Sequence, residues 1–528
     1  MASSLTDHNK PTHIQRMKLS DVSDDSDRAI GATSAEHESR QFYILGPRLY
    51  IINVGISVCL FLVNLEIPIV TTALVSISND LSAFNKSSWV VSAYLLGYVG
   101  VLIIFSKISD IAGRKPTLLL AIFLFTVFSG ACGAAQTVVQ LIVFRVFQGV
   151  GGGGVYAVCS VILAELAPSE KYAKYMASLS RWIFLINVPI AAVAGLLLFA
   201  LIPTGFPYHG SNRQIPVPSK SLNRLDYPGT ALLLLSTLSF VAAFEEAGSL
   251  SRYSSAYVIV LLITGVLGWA VFLLWERRVT LQAKIREPVF PWRFVLSRVW
   301  VGMLLCALFL GAPFFTTNFQ LPQRFQIVNG LSPLQASLRV IPFTLASPLG
   351  SVIAPIICKA FKVPPVYLVL CAAAIQVVGF ALLSTVPSSK SISPMQYGYE
   401  IIAGFGCGIN ITLLLLMTPF SVQERDKAVA LGAISQLRIM GGAIGLSIAT
   451  AAFNSLVRNE LRQTLSTDQL NALLLSPETL QDYAAEMQET IRVALADGYS
   501  LQSKVLAGLA AIQIPASLLL WQTKQITV

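Results

Sequence analysis

The sequence predicts an all-α, polytopic membrane protein, and three observations carry that prediction. Of 528 residues, 54% are hydrophobic and 12% charged, about half the charged share of an ordinary soluble domain. Apolar runs long enough for a helix to cross a hydrocarbon core of about 30 Å recur from Leu49 to Trp521. Lys and Arg gather in the connections between these runs, as they do in loops that stay cytoplasmic. The net charge of +10 therefore has a topological origin, and no nucleic-acid module is visible.

Taken in order, residues 1–46 are polar and rich in Ser, Asp and Lys, with SDVSDDSD at Ser20–Asp27. They lack the apolar surface to fold alone, which predicts a disordered cytoplasmic tail. They also lack a short apolar core before a small-residue cleavage site, so the first span is expected to act as its own insertion signal. About thirteen spans follow. Those at 49–74, 88–107, 117–137, 139–166 and 182–202 make up an N-terminal bundle over 47–202. Residues 203–276 hold a loop with Pro and Gly at 203–226 and two central spans, 227–247 and 254–276. The basic stretch RRVTLQAKIREPVFPWRFVLSR, 277–298, reads as a cytoplasmic linker and hinge lying at the membrane surface through Val289, Phe290, Trp292 and Phe294. Spans at 299–321, 336–360, 365–387, 395–419 and 428–453 give a C-terminal bundle over 299–453. Within 454–502, expected to be extracellular, Ser476 can cap a helix with Pro477 at its first position, and apolar residues recur at helical spacing. That predicts a small amphipathic helix outside the bilayer, ahead of a last span (503–522) and a short tail within 503–528.

Chemistry concentrates in a few places. FSKISDIAGRKPTLL, Phe105–Leu119, packs charge between two almost uncharged runs. Asp110 can accept hydrogen bonds or pair with a cation, Gly113 permits a tight turn, and Arg114 and Lys115 suit the anionic cytoplasmic leaflet. An ordinary positive-inside loop explains Lys107, Arg114 and Lys115, but not the spacing of Asp110 and Gly113. In LIVFRVFQGVGGGG, Arg145, Gln148 and Gly149 share one helix face. An arginine inside a span costs several kcal/mol unless it faces protein or water, so Arg145 has either a role in a central cavity or a structural one as donor to neighbouring carbonyls. GVGGGG also fits the dinucleotide fingerprint, but it lies within a continuous apolar helix and lacks the preceding strand that fingerprint needs. Gly149 and Gly153, Gly404 and Gly408, and Gly441 and Gly445 instead suit close helix packing.

Glu66 lies inside the first span. A carboxylate placed there is costly, which suits a group that binds and releases a proton; the alternative is a structural acid near the outer mouth. Glu245 and Glu246 mark the border of a span. Glu400 and Arg438 fall inside spans and are candidates for lining a cavity. His8, His13, His37 and His209 all lie in the tail or a loop, which argues against a histidine relay. The seven cysteines sit in apolar runs without a CxxC pair, and read as small hydrophobes rather than metal ligands or disulfide partners. No nucleophile, base or metal cluster converges, so an enzyme is not expected.

These pieces resemble the major facilitator superfamily, whose loop after the second span runs G-x-L-x-D-x-x-G-R-K/R. SKISDIAGRK matches at Asp110, Gly113, Arg114 and Lys115 and departs at Ser106 and Ile108. The Arg145, Gln148 and Gly149 pattern is similar to the family's fourth span. RWIFLINVPI from Arg181, LPQRFQIVNGLSPLQASLRVIPF from Leu321 and QLRIMGGAIGLSIA from Gln436 look like the fourteen-span drug:proton antiporters of filamentous fungi, which export toxins and other secondary metabolites. The resemblance implies two helical bundles around a site that opens to each side in turn, and a cytoplasmic latch using Asp110 and Arg114. It implies proton coupling at Glu66 and Arg145, and a cavity for an amphipathic small molecule to which Gln148, Asn318, Gln320, Gln436 and Arg438 could contribute. It implies no cofactor and no metal, protons and membrane lipids as partners, and a monomer in the plasma membrane, with a vacuolar or other internal membrane as the alternative. An uptake symporter of the same fold is a rival, as is a non-transporting receptor or inactive splice or gene-model product.

That last rival arises from a departure. The family's antiporter motif, a glycine-containing span ending G-P-x-x-G-G, should lie between the fourth span and RWIFLINVPI, and is absent. Three apolar runs separate Arg181 from the linker at 277–298, and an odd number puts this strongly basic segment outside, against the positive-inside rule. Either one span is missing near 176–181, or 182–202 enters the bilayer and returns.

Overall fold

The computed structural model describes residues 51–64, 66, 87–166, 224–248, 255–282, 286–475, 480, 483–522 and 525. The amino-terminal tail, the run at 182–202, nearly all of the loop at 203–226, Ser476, Pro477 and the four histidines lie outside the described residues. So does the junction at 176–181.

Among the described residues the chain is helical, and its sole β feature is an isolated bridge between Leu225 and Glu287. Helix α1 covers Ile51–Asn64, α2 Ser87–Ala112, α3 Arg114–Gly133 and α4 Val138–Leu166. The central pair is α5, Tyr227–Gly248, and α6, Ala256–Gln282. A one-turn helix α7, Arg293–Leu296, precedes α8, Arg298–Ile327. Then come a short α9, Pro333–Arg339, and α10, Ile341–Phe361, α11, Pro365–Leu383, α12, Met395–Ser421, and α13, Lys427–Leu461. A short α14, Thr467–Leu475, and the long α15, Ala485–Leu518, complete the described helices.

Two bundles result. In the first, α2 and α3 pack on α4; in the second, α10 and α11 pack on α12 in the same way, with α13 and α15 closing against α8. Close approach has a sequence cause. A Cβ at Gly149 would strike the Tyr94 carbonyl, one at Gly408 the Ser347 carbonyl, and one at Gly441 the Leu308 carbonyl. Only glycine lets these backbones meet. The bundles touch where α13 packs on α2 and α5. Apolar side chains that find no protein face outward: Val260, Ile263, Leu267 and Leu274 on α6 and Phe123 on α3 are exposed, as suits helices bordering lipid.

Helix direction defines two faces. The α2–α3 turn at Gly113, which has φ 96°, marks the near face; α1 ends, and α4 begins, at the far face. Two elements differ from the sequence reading. Val289, Phe290 and Phe294 do not lie on a membrane surface: they are buried in the protein core with Phe272 and Trp300. The linker is further fixed by the Glu276 carboxylate accepting from the Phe290 N–H at 3.2 Å. The predicted amphipathic helix is not separate from the last span either, because α15 runs unbroken from Ala485 to Leu518. Its first turns bury Ile491, Ala494 and Leu495 against Val457, Leu461, Leu470 and Leu473, forming a small cap on the far face.

Candidate functional site

The site grows around a buried arginine. Arg145, on the second turn of α4, is 1% exposed, and α1, α2 and α4 bring it partners. Its Nε donates to the Val90 carbonyl at 3.0 Å. Its Nη1 donates to Glu66 Oε1 at 2.6 Å and to Gln148 Oε1 at 2.8 Å. The guanidinium lies over the Tyr94 ring, 4.7 Å from its centroid, and Tyr94 is held by its hydroxyl donating to the Val63 carbonyl at 3.0 Å. Gln148 passes the network on to Ser129, donating at 2.7 Å. Glu66 keeps 23% of its side chain exposed, while Arg145 Nη2 is buried without a hydrogen-bond partner among the described residues. A carboxylate that reaches solvent thus faces a cation that does not, and Glu66 is the charged acceptor beside the neutral oxygens of Val90 and Gln148.

The near-face motif assembles as the resemblance implies in part. Arg114 pairs with Asp110 at 2.6 Å and with Glu165 at 2.5 Å, joining α2, α3 and α4. These ion pairs stay within one bundle. Contact with the other bundle uses different groups: the Ile103 N–H donates to Gln436 Oε1 at 3.2 Å, and Gln436 donates to Thr237 at 3.3 Å. Gly432 sits where a Cβ would press on Ser106. Lys107, which sequence reading left as a loop charge, is buried and pairs with Glu287 of the linker at 2.6 Å. Arg224 pairs with the same carboxylate.

The cavity candidates disperse. Gln436 is fully buried between the bundles, so its place is at their contact. Arg438 donates to the Tyr156 hydroxyl, again between the bundles. Asn318 donates to the Phe314 carbonyl at 2.7 Å on its own helix. Gln320 lines a cavity of about 30 Å³ in the second bundle, together with Arg324, Tyr499 and Gln502. Sequence reading missed Tyr94, Ser129, Tyr156 and Glu165. Aromatic and hydroxyl residues in apolar runs carry no signal of their own, and Glu165 becomes informative only when Arg114 is known to face it.

Comparison with known proteins identifies the family. A family model described as Major Facilitator Superfamily matches residues 56–180. The MFS-type transporter FPY5 of Fusarium mangiferae is 39% identical over 504 residues, covering 90% of this chain and 84% of the relative. The chain belongs to the major facilitator superfamily. Further relatives are the MFS-type efflux pump LUC4 of a Fusarium species, 30% identical with 80% of this chain and 77% of the relative covered, and multidrug resistance protein 3 of Bacillus subtilis, 27% identical with 83% and 84% covered. The crystal structure of the human organic anion transporter MFSD10 shares this superfamily fold, with TM-score 0.54, 14% identity, and 90% of this chain and 100% of that one covered. The protein is thus a multi-pass membrane transporter of the superfamily, and its relatives are transporters rather than enzymes.

Proposed function

We propose that the protein is a proton-coupled efflux transporter that exports amphipathic small molecules, such as toxins or other secondary metabolites, by alternating access, acting as a monomer in the plasma membrane. The observation that carries this reading is the Glu66–Arg145 pair at 2.6 Å, set inside a span and held by Gln148, Val90 and Tyr94. Names of relatives support the direction: LUC4 is an efflux pump and the Bacillus protein a multidrug resistance protein. In the cycle, a proton arriving at Glu66 weakens its bond to Arg145 and frees the guanidinium to compete for other acceptors. Loss of the proton restores the pair, so each state of Glu66 favours a different arrangement of α1 against α4. The near-face triad of Asp110, Arg114 and Glu165 stiffens the turn between α2 and α3, and the α2–α13 contact beside it is where the bundles part.

Purified protein in vesicles, supplied with hydrophobic toxins and a pH gradient, tests the reading. Glu66→Gln keeps shape but cannot titrate; gradient-driven transport is expected to vanish while membrane insertion and downhill exchange persist. Pumping at the wild-type rate by Glu66→Gln would sink the assignment. The sign of substrate movement separates export from uptake symport, and binding without any movement would favour the non-transporting alternative.

A further inference from the structure

The second bundle contains an acid–glutamine–arginine cluster in the place equivalent to the first. Helices α1 and α8 open their bundles, and α4 and α12 are the fourth spans, each packed on the second and third of its own bundle. Such halves are related as parallel repeats in this fold. In the first bundle the acid sits at the far end of the opening helix, with the arginine and glutamine on the fourth. In the second bundle the arrangement is exchanged: Arg324 lies at the far end of α8, and Gln396 and Glu400 lie in the first turns of α12. Arg324 Nη1 donates to Gln396 Oε1 at 3.0 Å, and Gln396 Nε2 donates to Glu400 Oε1 at 3.2 Å. Arg324 is held further by the Pro387 carbonyl at 3.3 Å.

Glu400 is fully buried, and its Oε2 has no hydrogen-bond partner among the described residues. An ionised carboxylate with one oxygen unpaired in the interior bears the full desolvation cost of that atom. A proton on Oε2 removes the charge, and loss of that proton leaves an anion that Gln396 and Arg324 stabilise. The cluster meets a cavity through Arg324. The cavity of about 30 Å³ is bordered by Arg324 and by Gln320 and Gln502; Gln320 Nε2 and Gln502 Oε1 are buried and unpartnered. Its volume is enough for a water molecule, and a donor and an acceptor stand ready for one. The other titratable groups around the cluster are Tyr499 from α15, which lines the same cavity, and Asp497, which accepts from Ser388 at 2.8 Å. Arg339 donates to the Tyr397 hydroxyl near the start of α12.

We propose that Glu400 is a second proton-binding site, so that one transport cycle exchanges two protons, one per bundle. This rests on the proton-coupled reading for its role in transport, but not for the titration itself. Two measurements on the full chain test it separately. Infrared titration of purified protein follows the C=O stretch of protonated carboxyls. Glu66→Gln and Glu400→Gln are each expected to remove one titrating component, and Arg324→Gln should move the Glu400 component, since it removes the cation one glutamine away. A titration that Glu400→Gln leaves unchanged overturns the proposal, and so does an unmoved component in Arg324→Gln, which also serves if Glu400→Gln does not fold. The second measurement is the substrate gradient sustained in vesicles by one unit of pH difference with the membrane potential clamped. For a neutral substrate, two protons sustain about a hundredfold gradient and one proton about tenfold. Glu400→Gln should therefore lower the gradient about tenfold; an unchanged gradient overturns the two-proton cycle. If Glu66→Gln pumps normally while the Glu400 component still titrates, the assignment of Glu66 fails and the Glu400 site stands.

Discussion

At the scale of residues, the decisive property of Arg145 is its fork. One guanidinium serves the Val90 carbonyl, Glu66 and Gln148 at 3.0 Å or less while its face meets Tyr94. An ammonium at the end of a flexible stem cannot hold that set from one position. Arg145→Lys is accordingly expected to cut gradient-driven transport by at least about tenfold, because losing even one hydrogen bond to a charged group costs about 1.5–3 kcal/mol. Transport counted per inserted molecule measures it, and normal kinetics would reduce Arg145 to a structural donor. Arg145, Gln148 and Glu66 were all legible in the sequence because a charged or amide group inside an apolar run has few reasons to be there. Gln436 and Arg438 stood out for the same reason, but their partners Ile103, Thr237 and Tyr156 did not: type and depth are written in the sequence, and the partner across the bundle contact is not. Glu400 illustrates the same limit, since only packing reveals that Arg324, distant in sequence, lies one glutamine away.

At the scale of elements, periodicity located helices well and their surroundings poorly. Val289, Phe290 and Phe294 form an apolar face whether it meets lipid or protein, and the sequence cannot say which; in the fold they are core. The early part of α15 carries Glu486, Glu489, Arg492 and Asp497, which interrupts the apolar run and reads as a separate helix, although the backbone continues through it. The linker's anchorage has a pH signature. Burial alone would push the Glu287 carboxyl up, but Lys107 and then Arg224 outweigh it and hold the group below its ordinary range. A carboxylate depressed in the folded state lends stability above its unfolded pKa, about 4.3 for Glu, and withdraws it as pH falls through the folded value. Thermal unfolding of detergent-solubilised protein should therefore show Glu287→Gln melting below wild type at neutral pH. The two curves should converge in acid, once pH has fallen below the lowered folded value. Parallel curves at every pH would show that the Lys107–Glu287 contact adds nothing to holding the linker.

At the scale of the whole molecule, the fold sharpens the question raised by the absent antiporter motif. Glu165, at the end of α4, pairs with Arg114 on the near face. Arg224, just before α5, shares Glu287 with Lys107 on that same face. An even number of crossings must link the two, yet the sequence between them offers one apolar run of spanning length, 182–202. We therefore expect that genomic DNA holds an in-frame apolar segment at the junction near Met176–Arg181, carrying the antiporter motif, and that this chain reflects a skipped or lost exon segment. Sequencing the transcript and the gene across codons 170–185 decides it, and a gene with no such segment ends the idea. Sidedness gives an independent check. Helix α15 ends against the start of α8, where a Cβ on Gly302 would meet Leu519 and Leu520, and that is the near face, where α1 also begins. Tags at Met1 and Val528 should thus report the same, cytoplasmic side, in the chain as given and in one with the segment restored. A carboxy-terminal tag on the outside would mean that all thirteen apolar runs cross, and that α4 and α5 do not share a face in the membrane.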